Sequence, residues 1–237
     1  MKHYFAQDYR GEPFQLFSSP HLIALGILVL LNFLFIRMGM QTAKRKHYRL
    51  RHGLAIVILL NEVVWHLWNL LTGGWSIQTM LPFHLCSIMN YVSIATLLTK
   101  SSNLYQLCYF LGIGGALQAL LTPDLGSYGY PHFLFFQTFL SHSLIITTAL
   151  YMTIVEGYRP TLRILPALIV GFNLYLLVVA IINSLIGSNY LFIAHKPNVP
   201  TILDAMPPWP WYIFGMEGVG ILVVLLLYLA FVIVRAR

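Results

Sequence analysis

Apolar and polar positions alternate along this chain in long blocks rather than in short periods. Nearly uncharged runs fall at about 21–39, 53–71, 82–99, 104–122, 133–155, 162–187 and 209–234. Each is close to the ~20 residues that the hydrocarbon core of a bilayer demands of a helix. Between them lie short polar segments: "QTAKRKHYRLRH", "TGGWSIQTM", "KSSN", "PDLGSYGYPH", "EGYRPT" and the longer "GSNYLFIAHKPNVPTILDAMPP". There is no internal repeat and no linker. The pattern predicts an all-α polytopic membrane protein, one seven-helix transmembrane domain over residues 1–237. The first run begins near Pro20 and no small-residue cleavage site follows it, so it reads as a span and not a signal peptide. The lead before it, "MKHYFAQDYRGEPFQLFSS", reads as a short amphipathic or irregular segment.

Composition narrows the class further. The chain is 58% hydrophobic and 9% charged, with mean hydropathy +0.75. A soluble surface needs roughly a quarter charged residues, so a soluble domain is excluded. The net charge of +7 follows loop orientation and does not point to nucleic acid. With the 40–52 loop placed in the cytoplasm, eleven basic residues fall inside: Arg37, Lys44, Arg45, Lys46, Arg49, Arg51, Lys100, Arg159, Arg163, Arg235 and Arg237. Three fall outside: Lys2, Arg10 and Lys196. The expected topology is therefore amino terminus out and carboxyl terminus in, with Trp75, Trp209 and Trp211 at the outer interface. Two cysteines, Cys86 and Cys108, both inside apolar runs, make no disulfide framework.

Polar side chains within the runs are costly and select candidate functional positions. At ~1.5 Å per residue, His84 and Cys86 enter just below the outer boundary and His142 lies near the midplane. Glu62 is mid-span, with His66 and Asn69 nearer the outer end. Gln118 and Asp124 close the outer end of span four, and Glu217 lies roughly a dozen Å into span seven. The expectation is a polar chamber in the outer half and an inner half nearly bare of such groups. Glu62, His66 and Asn69 share one helix face, where Glu62 and His66 could pair. Cys86, Asn90 and Ser93 share another. His84 is about 200° around the helix from Cys86 and so faces a different neighbour, unless the span starts irregularly at Pro82. Gly112, Gly115, Ala116 and Ala119 read as close helix packing, and Cys108 as a small buried hydrophobe. Asn32, Asn173 and Asn183 read as interhelical hydrogen bonders. His47 and His52 read as solvated surface, and His132 as a surface residue.

No GxSxG, HExxH, P-loop or CxxC motif is present. A set of longer blocks, "LPFHLCSI", "GIGGALQALLTPDLGSYGYPHFLFFQTFLSH", "EGYRPT", "NYLFIAHKP" and "PPWPWYI", resembles the YwaF family of bacterial integral membrane proteins. That family is distantly similar to eukaryotic multi-span phospholipid acyltransferases that remodel ether lipids, which use a cysteine early in one span and a histidine in a later one. The resemblance puts the histidine at His142, in the block that also holds Gln137. The block before it is similar over Gly115 to Leu121. The family's cysteine aligns with Phe83 and the histidine after it with His84. The nucleophile is thus left open between Cys86, a turn further on, and His84 acting with His142.

The leading expectation is a lipid-modifying enzyme of the bacterial cytoplasmic membrane. It would carry out acyl transfer or hydrolysis on glycerophospholipids in the outer-leaflet half. His142, Cys86 and His84 would be the catalytic candidates. Glu62, His66, Asn90, Gln118, Asp124, Gln137 and Glu217 would bind or orient substrate. Membrane lipids are the expected partners, and no cofactor or metal is called for. The rivals are a proton-coupled carrier using Glu62, His66 and Glu217, a haem or metal site from His66, His84 and His142, and a non-catalytic scaffold.

Overall fold

A computed structural model describes residues 2–197 and 202–236, and Arg237 of the charge count lies outside them. All regular structure among these residues is helical. Six helical stretches are long and apolar enough to cross a membrane. They are α1 (Ser19–Gln41), α2 (His47–Thr72), a composite of α4 (Ser102–Leu107) and α5 (Ile113–Leu121), α6 (Phe133–Ile154), α7 (Leu165–Ile186) and α8 (Trp211–Ala236). A π-helical turn, Cys108–Gly112, joins α4 to α5. The remaining apolar run is shorter than the pattern implies. Residues 82–84 form a turn, and α3 covers only Leu85–Thr99. Its 15 residues reach ~22 Å against a ~30 Å hydrocarbon core.

Local chemistry sets the helix ends. Pro20 occupies the first turn of α1, where its missing N–H costs nothing. α2 runs into Gly73 at φ 79, whose left-handed conformation lets the amides of Gly73, Gly74 and Trp75 reach the carbonyls of Asn69 and Leu70. The start of α2 corrects a boundary: the helix begins at His47, not near residue 53. Arg51 is therefore a helical residue and is buried.

α6 is the hub of the bundle, packed by α1, α2, α3, α5 and the π turn. Ala149 and Met152 of its apolar face join Tyr105, Cys108 and Phe110 in the main core. Toward α1 the seam is polar. Asn32 donates to Ser143 Oγ at 2.8 Å and accepts from Thr147 Oγ1 at 2.7 Å. The glycine-rich segment allows three close approaches. A Cβ on Gly112 would sit 3.0 Å from Ile145 of α6, one on Gly114 2.8 Å from Val223 of α8, and one on Gly115 3.2 Å from Leu85 of α3. α1, α7 and α8 expose most of their surface, including Val29 at 70% and Leu185 at 78%. Such apolar exposure suits helices that face lipid.

Candidate functional site

The turn before α3 separates the two residues that open it. His84 is the N-cap, and its side chain makes no capping bond. Its Nδ1 instead accepts from the backbone N–H of Leu191 at 3.4 Å, and its ring packs against Tyr190 and Phe192 at centroid distances of 5.2 and 5.3 Å. His84 thus engages the segment after α7. Cys86, in the first turn of α3, faces the other way. It is half-buried, and a Cβ on Gly115 of α5 would lie 3.6 Å from its Sγ. It packs beside Met89, Ala116 and Ile145. The divergence read from the helical period holds, and the irregular start at Pro82 does not cancel it.

His142 lies on α6, half-buried, and its Nδ1 meets the carbonyl of Thr138 at 2.7 Å. A carbonyl only accepts, so Nδ1 carries the proton and Nε2 keeps its lone pair. Neighbouring positions on α6 contact α3. Ser141 bonds to Asn90, and Ile145 shares the apolar cluster of Cys86. The missing Cβ at Gly112 and Gly115 lets α5 come close enough to both helices to complete this packing.

Below Cys86, one turn further along α3, Asn90 is the centre of a buried polar node. Its Nδ2 donates to Glu62 Oε1 at 2.7 Å and to Ser141 Oγ at 2.9 Å, joining α2, α3 and α6. Glu62 is 6% and Asn90 2% exposed. Hydrogen bonding of this kind is what permits a carboxyl group at such depth. Glu62 therefore turns to Asn90. His66 uses its Nδ1 to accept from the indole N–H of Trp75 at 3.1 Å, and the amide of Asn69 donates to the Trp65 carbonyl of its own helix.

The remaining candidates lie apart from this node. Gln137, one turn from Ser141 on α6, is buried. Gln118 and Asp124 are exposed. Glu217 of α8 accepts from Asn173 Nδ2 of α7 at 2.6 Å on the bundle surface. Glu62, His66 and Glu217 thus sit in three separate networks. Among the described residues no three His, Cys, Asp or Glu side chains gather as a metal site.

Two groups were not foreseen. The end of the bundle carrying the basic residues is not bare of buried charge. Glu156, just past α6, has a side chain 6% exposed and meets Lys100 Nζ at 2.7 Å, Arg51 Nε at 3.2 Å and His47 Nδ1 at 3.6 Å. Arg51 also donates to the Leu97 carbonyl at 2.6 Å. His47 is therefore part of a network and not solvated surface. His52 is exposed as expected.

At the other end, His132 is fully buried, because the amino-terminal lead folds over it. The carbonyls of Phe5, Ala6 and Gln7 accept in turn from Trp68 Nε1, His132 Nε2 and Tyr128 Oη at 2.9, 3.0 and 2.8 Å. His132 Nδ1 accepts from the Leu134 amide. Burial holds this imidazole below its ordinary pKa, aided by nearby His3 and opposed by the bond to Ala6. The docked form prefers neutral His132. Its stability should be fully present above the free imidazole value of about 6.5 and be lost as pH falls from there through the depressed value. Protection factors at residues 5–7, the slowing of exchange relative to the intrinsic rate at each pH, should fall as pH drops from about 7 to 5. In His132→Phe they should be low at both ends of that range.

The fold and site together define a multi-pass helical membrane protein whose intramembrane polar groups gather on α3 and on the α2 and α6 faces packed against it. Within that class the chain belongs to the TMEM164 family, whose model matches residues 16–228. It is also similar to an uncharacterized protein of Treponema pallidum (strain Nichols), 27% identical over 217 residues, spanning 91% of this chain and 89% of that protein. No solved structure matches it. Neither match bears on the narrower likeness to the YwaF family or to the ether-phospholipid acyltransferases.

Proposed function

We propose that the protein is a lipid-modifying enzyme that transfers or hydrolyses acyl chains of glycerophospholipids, with Cys86 and His142 at its centre. The observation that carries this reading is His142. Its Nδ1 is spent on Thr138, so Nε2 is a fixed base inside the membrane, flanked on α6 by residues that pack against the helix of Cys86. The likeness of "LPFHLC" and "FFQTFLSH" to the YwaF family and the acyltransferases supports the same pair. We further take α3 as a seventh span and the basic end as cytoplasmic, on the distribution of Lys and Arg. This reading puts the site in the outer-leaflet half of a bacterial cytoplasmic membrane. Digestion of an amino-terminal tag by protease added to intact spheroplasts supports that orientation, and digestion only after the membrane is opened contradicts it.

In the reaction, His142 takes the Cys86 thiol proton and the sulfur adds to an ester carbonyl. The amides in the first turn of α3, which the His84 side chain leaves uncapped, would stabilise the oxyanion. The ester C–O bond then breaks, and His142 returns the proton to the departing lysolipid oxygen. An acceptor hydroxyl, deprotonated by His142, takes the acyl group from the thioester and restores the thiol. Intact-protein mass spectrometry after exposure to phospholipid should reveal one acyl chain added, sensitive to hydroxylamine and absent in Cys86→Ser. Full turnover by Cys86→Ser would instead assign the attack to the acceptor hydroxyl, with His142 alone as base.

A further inference from the structure

A cavity of about 290 Å³ opens at the end of the bundle that carries the amino-terminal lead. The lead, the start of α1 and the loop before α6 border it. One close approach fixes its frame. A Cβ on Gly129 would fall 2.4 Å from the Glu12 carbonyl oxygen and 2.9 Å from Pro13, so glycine lets the loop lie against the lead. The Phe14 amide also donates to the Gly126 carbonyl at 3.0 Å. Three of the lining residues are aromatic and form a chain, Phe14 to Phe135 at a centroid distance of 6.4 Å and Phe135 to Tyr130 at 5.9 Å. Glu12 is the one charged residue of the lining, and it makes no ion pair among the described residues. Gln15 and Ser18 line the cavity too. Ser18 is the N-cap of α1, yet its side chain makes no capping bond.

This lining selects one kind of ligand. It holds no Lys, Arg or His, so an anion finds no counter-charge. Aromatic faces attract a cation held within about 6 Å of the ring centroid. A divalent metal such as calcium needs about six to eight oxygen ligands, which a wall of three rings does not supply. An ammonium group suits both parts of the wall: its charge meets the rings and the carboxylate, and its N–H groups meet the side-chain oxygens of Gln15 and Ser18. Pro20 and Phe135 stand in the first turns of α1 and α6, which places the cavity where two spans leave the hydrocarbon, at headgroup level. We propose that this cavity binds an ammonium group, with Glu12 as counter-charge and Phe14, Tyr130 and Phe135 as the aromatic wall. The ammonium belongs either to a phospholipid headgroup or to a free amine. The site rests on the cavity and its lining, and not on Cys86 or His142.

The test is thermal unfolding of the full-length protein in nanodiscs of phosphatidylglycerol. In one arm phosphatidylethanolamine of matched chains replaces part of the lipid. In the other, ethanolamine hydrochloride is added against sodium chloride of equal ionic strength. Wild type should melt about 2–4 °C higher when the ammonium is present. Glu12→Gln, which has no ion pair to lose, should fold normally and lose the shift. Tyr130→Phe should keep it, and Tyr130→Leu should lose most of it. A shift with phosphatidylethanolamine alone assigns the ammonium to lipid, and a shift with ethanolamine hydrochloride alone assigns it to a free amine. A shift in both arms assigns the site to the ammonium group whichever molecule carries it. No shift in wild type in either arm, or a full shift kept by Glu12→Gln or Tyr130→Leu, overturns the site.

Discussion

Replacing His142 with alanine is expected to reduce acyl transfer by about 10²–10⁴-fold, the range typical of a positioned general base, while leaving the folded protein in the membrane. His142 packs with one ring nitrogen bonded to its own helix at Thr138, so truncation removes no bond between helices. The node of Asn90 with Glu62 and Ser141 does not pass through it. Cys86→Ala should fall by a similar factor. Because the two act as a unit, the double variant should be little worse than either single one. Cys86→Ala also removes only one sulfur atom beside Gly115. Thermal unfolding read alongside activity separates loss of chemistry from loss of fold. A parallel fall in melting temperature and rate would assign these residues to packing.

The largest effect on stability is expected at Glu156. Its carboxylate serves Lys100, Arg51 and His47 at once, and the side chains of Arg51 and Glu156 are 10% and 6% exposed. Glu156→Ala leaves the Arg51 guanidinium buried with only the Leu97 carbonyl. Breaking a buried pair by removing one partner typically costs about 3–5 kcal/mol, against a total stability of roughly 5–15 kcal/mol for a typical domain. Lys100 is the more exposed partner, at 44%, and Lys100→Ala should cost under about 1 kcal/mol. Glu156→Leu combined with Arg51→Met should recover most of the loss, since an apolar pair of similar volume removes both desolvation penalties. Unfolding temperatures of the single and double variants check this. A Glu156→Ala protein that melts with wild type would show that the cluster contributes no stability.

Much of this architecture follows from hydropathy alone. The runs around α1, α6, α7 and α8 needed only length and apolarity, and α6 spans Phe133–Ile154 against an expected 133–155. The start of α3 was not legible, because "LPF" is as apolar in a turn as in a helix. Hydropathy carries no information about which it is. The basic segment misled for the opposite reason. Lys44 to Arg51 is polar enough to read as loop, yet from His47 onward it is helix.

At the candidate site, short-range geometry was legible and long-range choice was not. The opposed directions of His84 and Cys86 match the expectation from helical spacing, although His84 lies in the extended N-cap and not in the helix. The partner of Glu62 does not. An i,i+4 histidine was available, but Asn90 on another helix took the Glu62 carboxyl group and Trp75 took His66. The Glu156 cluster joins residues from three separate loops and helices, and no local pattern announces it. His21 is a further case, fully buried with both ring nitrogens engaged, to the Phe17 amide and the Leu120 carbonyl. Its place at the start of an apolar run gave no sign of this.

The central claim is that Cys86 and His142 act on lipid esters. It is tested most directly by incubating the purified full-length protein with phospholipid labelled in one acyl chain, together with a lysophospholipid acceptor, and following the label by mass spectrometry. The account predicts that wild type moves the label to the acceptor or releases it as fatty acid, and that Cys86→Ala and His142→Ala, folded to the same degree, do neither. Equal redistribution of label by wild type and both variants would contradict it, as would none by wild type.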